Sequence, residues 1–101
     1  MNTIETTPSF DAWYSALRDP QVVWRVNARI FRAGQGNFGD AKPVGEGVFE
    51  MRIHYGPGIR VYFKQTGRTI YLLLAGGDKS TQSADIKAAQ DIARQLQDKD
   101  D

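Results

Sequence analysis

The sequence predicts an α+β fold in which a small antiparallel sheet carries its helices on one face. Three observations predict it. Between Phe10 and Ile30, apolar residues recur at helical spacings of three and four. From Gly45 the apolar period drops to about 2 through three short runs separated by glycine-containing turns. Beyond Gly77 helical spacing returns, at Ile86, Ala89, Ala93 and Leu96. The length of 101 residues suits one domain, residues 1–101, without room for a second independent core. Such a chain buries only ~60–65% of the surface its unfolded form exposes, so stability is expected to be modest.

Asn2 to Thr7 reads as a short extended piece anchored by Ile4 and closed by Pro8. Ser9 or Asp11 is a cap for a helix over Ser9–Asp19, whose stripe is Phe10, Trp13, Tyr14 and Leu17. Pro20 is best tolerated as the first residue of a new helix, which the pattern carries to Ala33. The two stripes face one another as a helical hairpin. The run Ala33 to Gly39 stops it, because its glycines favour turns. Strands are predicted at Val48–Tyr55, Ile59–Lys64 and Thr69–Leu74, with tight connections at Gly56-Pro57-Gly58 and around Gly67. The third strand is apolar on both faces, which suits a central or helix-covered position. Ser80 or Thr81 caps a last helix running to Gln97, and the polar end Gln97–Asp101 is expected to fray.

Thirteen Lys and Arg against twelve Asp and Glu leave a net charge of +1, which excludes a uniformly basic nucleic-acid coat. The charge is nevertheless uneven: residues 42–79 hold six basic and three acidic side chains, while residues 80–101 hold three and five. The middle segment, with Lys42, Arg52, Arg60, Lys64, Arg68 and Lys79, is where an anionic substrate is expected. The absence of cysteine and the single histidine exclude disulfides, Cys-based zinc sites, Cys nucleophiles and multi-histidine metal centres. No P-loop, dinucleotide fingerprint, HExxH motif or Mg²⁺-holding acidic cluster is present, so no cofactor is expected. No secretion signal or membrane span is read, and the expected location is cytoplasmic.

Strand parity gives the sharpest expectation. Met51, Ile53 and Tyr55 point one way and Glu50, Arg52 and His54 the other; on the next strand Arg60, Tyr62 and Lys64 oppose Ile59, Val61 and Phe63. Paired as a hairpin, the polar faces bring Arg52, His54, Arg60, Tyr62 and Lys64 together, with Lys79 leaning over from just beyond the glycines. The same pattern also fits the solvent side of any one-sided antiparallel sheet. As chemistry, the set suits RNA cleavage without a metal. A base takes the ribose 2′-OH proton, fixed cations stabilise the phosphorane, and an acid protonates the leaving 5′-oxygen. Arg52 and Arg60 offer phosphate forks, His54 is the candidate base, and Lys79 steadies phosphate or donates the proton. Tyr62, Lys64, Lys42 and Arg68 are the candidate RNA-binding residues.

The segments GNFGDAKPVGEGVFEMRIHYGPGIRVYF and LLLAGGDKSTQSADI resemble the HigB-type addiction module killer branch of the RelE/ParE toxin superfamily, with similarity from about Phe10 to Leu96. The resemblance implies a microbial-RNase-like fold and ribosome-dependent mRNA cleavage that arrests translation and growth. It also implies a helix-turn-helix antitoxin partner, HigA-like, and no membrane association. Arg60 matches the family arginine that opens the strand after the turn. Lys79 matches the basic residue after the fourth-strand glycine, an arginine in RelE itself. The two RelE lysines before the turn correspond to Glu50 and Arg52, and the RelE tyrosine on the last helix falls at Asp85. The superfamily also implies two alternatives: a ParE-like gyrase poison, or a catalytically inactive antitoxin-binding module.

Overall fold

The computed structural model describes residues 2–77 and 79–100, the last four as backbone only. The polar end Gln97–Asp101, expected to fray, falls on residues whose side chains lie outside that description. The elements run β1 (Thr3–Thr6), α1 (Pro8–Ser15), α2 (Pro20–Gly34), β2 (Ala41–Gly45), β3 (Val48–Ile53), β4 (Ile59–Thr66) and β5 (Thr69–Gly76). A 3-10 turn (Lys79–Thr81) then leads into α3 (Gln82–Asp100). The architecture is α+β, with a five-stranded sheet in the order β1-β5-β4-β3-β2.

That sheet is mixed, which corrects the expectation of a purely antiparallel one. β1 pairs in parallel with β5, from Thr3 opposite Thr69 to Thr6 opposite Leu72, while the other three pairings are antiparallel. A four-residue strand with one apolar side chain has no periodicity that could announce a partner 66 residues away. β2 was also not visible in the pattern. It is an edge strand, where Pro43 lacks no ladder hydrogen bond that matters, and a two-residue turn joins it to β3. Glu46 and Gly47 fill that turn with φ of 57° and 76°, the left-handed pair that matches strand twist.

Helix starts follow local chemistry. Asp19 caps α2 by accepting from the Gln21 N–H at 2.9 Å, with Pro20 in the first position. α1 starts earlier than expected and ends at Ser15, because Thr7 rather than Ser9 or Asp11 is its cap. Buried Thr7 accepts from the Phe10 N–H at 3.4 Å and donates its hydroxyl to the carbonyls of Leu72 and Leu73 at 3.0 and 2.7 Å. One side chain thus joins β1, α1 and β5.

The sheet is covered on both faces, correcting the expectation that all helices share one. α1 and α2 bury Phe10, Val26 and Ala33 against Met51, Ile53, Val61, Phe63 and Ile70. α3 lies across the other face, burying Ala89 and Ala93 against Val48, Tyr62 and Leu73. A bulge supports this: Phe63 pairs with Leu72 and Tyr62 with Leu74, so Leu73 is an extra residue and both Leu73 and Leu74 contact the α3 cluster. The face classed as polar by parity is therefore half apolar core. Its open end, around Arg52 and Arg60, is what remains for a ligand.

Candidate functional site

The site forms where β3 ends and β4 begins. Arg52 and Arg60 are directly opposite in the β3–β4 register, a like-charge pairing that costs stability unless each charge has a partner. Each has one. Asp40 Oδ1 lies 3.6 Å from Arg52, and Glu50 Oε2 lies 3.8 Å from Arg60 Nε. Lys79 reaches the same place because β5 lies beside β4 and the 3-10 turn follows directly. Arg52, His54, Arg60 and Lys79 line one open cleft of about 430 Å³ together with the turn from Tyr55 to Ile59. Gly56 and Gly58, at φ of 59° and 92°, allow the chain to reverse there without side chains that would fill it.

Arg60 is the more deeply set of the two arginines in this cleft. Its side chain is only 12% exposed, yet Nε and Nη1 make no hydrogen bond among the described residues. Both nitrogens are themselves shielded from solvent, and the carboxylate beneath is too distant for a good hydrogen bond, so the guanidinium must shift toward the cleft to offer these N–H groups to a phosphate. Beneath it, Glu50 is fully buried. Its carboxylate accepts from the Tyr62 hydroxyl at 3.1 Å and the Gln82 side-chain amide at 2.8 Å, with Lys42 Nζ at 3.9 Å. Burial first, and the Glu50 charge second, push the Tyr62 phenol well above its ordinary pKa, so it stays a neutral donor.

His54 is 76% exposed, and its Nε2 lies 2.7 Å from Asp40 Oδ2. That contact leaves Nδ1 available to a substrate, the tautomer being assigned from the pairing. The hydrogen bond from His54 holds the Asp40 carboxyl below its ordinary pKa; partial desolvation opposes it and the Arg52 charge assists. Asp40 is fixed through its backbone as well. Its carbonyl accepts from the Arg52 N–H at 2.8 Å, and Arg29 on α2 donates to the carbonyls of Arg52 at 2.5 Å and Phe38 at 2.9 Å. Arg29 thereby staples the segment carrying Asp40 to the end of β3.

The other expected residues lie elsewhere. Tyr62 is buried in the α3 core, outside the cleft lining, which corrects its assignment to an exposed RNA-binding face. Lys42 is on β2 beside Glu50, outside the cleft lining. Lys64 pairs opposite Val48 and Tyr71, four residues and ~13 Å along β4 from Arg60. Arg68 sits in the β4–β5 turn at that same far end. Sequence reasoning missed Asp40, Arg29 and the burial of Glu50. Glu50 shares parity with Arg52, which is a usable signal, but Asp40 precedes an edge strand whose existence was not read. Among the described residues, no group of three or more His, Asp or Glu side chains is placed to hold a metal ion, and no helix is long and apolar enough to cross a membrane.

No family model matches the chain. A Haemophilus influenzae protein bearing the name "Uncharacterized protein" is 50% identical over 93 residues, covering 92% of this chain and 94% of that one. The chain belongs to that protein's family. A match of 93 of the 101 residues includes residues 40–79 wherever it begins, and so the strand ends and the turn that build the cleft.

Proposed function

We propose that this protein is the toxin of a type II toxin–antitoxin pair, of the RelE/ParE type with its microbial-RNase-like fold, and that it cleaves mRNA on the ribosome. The observation that carries the reading is the convergence of Arg52, Arg60, Lys79 and an Asp40-bound imidazole in one cleft. In this reading His54 Nδ1 removes the proton from a ribose 2′-OH, and the freed oxygen attacks the adjacent phosphorus. Arg60 and Arg52 take the non-bridging oxygens as negative charge develops. The bond from phosphorus to the 5′-oxygen breaks, and Lys79 gives that oxygen its proton. The products are a 2′,3′-cyclic phosphate and a 5′-hydroxyl, with the 2′-OH proton resting on His54. Asp40 stabilises the imidazolium formed.

The resemblance in the Gly36–Phe63 and Leu72–Ile86 segments supports the toxin assignment and a helix-turn-helix antitoxin as partner. The test is induced expression with primer extension on a reporter mRNA. Wild type should arrest growth and produce new 5′ ends, and Arg60→Ala should slow cleavage about a hundredfold, the effect of losing ~3 kcal/mol of transition-state stabilisation. Growth arrest with intact mRNA and accumulating DNA breaks would instead assign the protein to gyrase poisoning. Folded protein with neither effect would overturn both.

A further inference from the structure

α2 carries two parallel stripes that the cleft does not use. Trp24, Ala28 and Phe31 form one, and Arg25, Arg29 and Arg32 form the other, one residue further on. Trp24 and Phe31 are 66% and 68% exposed, unusual for large apolar side chains of a small protein that also has a well-filled core. A groove of about 180 Å³ between this helix and the end of β3 is lined by Trp24, Arg25, Ala28, Arg29, Arg32 and His54. His54 also lines the cleft, so groove and cleft meet at that ring.

The three arginines differ in what they can offer. Arg29 is held by backbone carbonyls, and Arg25 lies over the Tyr55 ring at 4.5 Å. Arg32 is exposed in the last turn of α2. No carboxylate is among the groove's lining residues, and Asp40, which pairs with His54, already faces Arg52 as well, so the groove lining is cationic. An exposed indole beside guanidinium groups matches single-stranded nucleic acid, whose bases stack on the ring while its phosphates meet the charges.

We propose that this groove holds the single-stranded RNA that flanks the scissile phosphate, with Trp24 stacking on a base and Arg32 and Arg25 meeting the backbone. The proposal rests on the reading of the cleft as an RNA-cleaving site. Charge complementarity and continuity with the cleft at His54 argue for RNA as the occupant. From Trp24 to Phe31 the helix rises ~10 Å, so Phe31 extends the aromatic row along the same strand path.

The test uses 2′-O-methyl RNA, which lacks the attacking hydroxyl, as a dinucleotide and an octanucleotide at low salt, read by tryptophan fluorescence and calorimetry. The octanucleotide should bind at least tenfold tighter than the dinucleotide and quench a signal that Trp24→Phe removes. Trp24→Ala should cut the octanucleotide's advantage at least fivefold, Trp24→Phe should restore part of it, and Arg32→Ala should flatten its salt dependence. Because both side chains are exposed, unchanged circular dichroism and melting should accompany these losses. An octanucleotide advantage unaffected by Trp24→Ala overturns the proposal. So does quenching by a poly-glutamate peptide but not by RNA, which would assign the groove to a protein partner. Dinucleotide binding that Arg60→Ala abolishes, with no octanucleotide gain, overturns the groove alone and leaves the cleft reading standing. Binding of neither oligonucleotide overturns both.

Discussion

Replacing Tyr62 by phenylalanine removes one oxygen from beside the buried Glu50 carboxylate and leaves the ring in the α3 core. Tyr62 and Glu50 are both fully buried, and the phenol donates to a carboxylate oxygen at 3.1 Å. A hydrogen bond to an ionised acceptor contributes about 1.5–3 kcal/mol. Gln82 still donates to that carboxylate and Arg60 still faces it, so the middle of the range, about 2 kcal/mol, is the expected loss at pH 7. For a domain of this size that lowers Tm by about 8–16 °C. The pH dependence follows from the raised pKa of the phenol. In the unfolded chain Tyr62 ionises from about pH 10, whereas in the folded protein burial keeps it neutral. The wild-type advantage is thus fully present below pH 10 and is lost as pH rises beyond it, by about 1.4 kcal/mol per pH unit. Urea unfolding of both proteins at pH 7, 9, 10 and 11 measures this, with unchanged m-values confirming comparable end states. The other tyrosines are common to both proteins and cancel. A gap below ~0.5 kcal/mol at pH 7, or a gap that does not narrow above pH 10, would refute the buried Tyr62–Glu50 pairing.

Three further expectations concern other parts of the fold. The Asp40 carboxyl should titrate below its ordinary value in carbon-detected NMR and move up in His54→Ala, so the pair persists until acid protonates Asp40; an unchanged titration in the variant would place the cause elsewhere. Glu46→Asn should raise stability by about 0.5–1 kcal/mol, because asparagine tolerates the left-handed turn better than glutamate. The ion pair to Arg94 that it removes is exposed and contributes little, so a lower Tm would contradict this. At Gly76 an added Cβ would sit 2.6 Å from Asp85 Oδ2, which also accepts from Thr81. Gly76→Ala should therefore destabilise the start of α3, and less so in an Asp85→Ala background, as a double-mutant cycle would show.

What was legible in the sequence is what short-range physics controls. Pro20 marked the start of α2, and the change of apolar period at Gly45 marked the passage from helices to sheet. Alternation along β3 and β4 put Arg52 and Arg60 on one side. The structure supplied the register that sets them opposite one another and ended β3 at Ile53, short of the expected Tyr55, so that His54 lies just beyond the strand. Lys79 followed from its position just past β5. Tertiary structure alone decided which surface α3 covers. Periodicity shows that Ile86, Ala89 and Ala93 form an apolar stripe, yet it carries no information about which side of the sheet lacks a cover. Docking on the polar-classed side buried Tyr62 and Glu50, gave Arg60 its carboxylate, and left only the Arg52–Arg60 end open. The meeting of Asp40 and His54 was decided the same way, because an edge strand pairs through backbone groups that every residue shares, and its side chains need show no pattern at all.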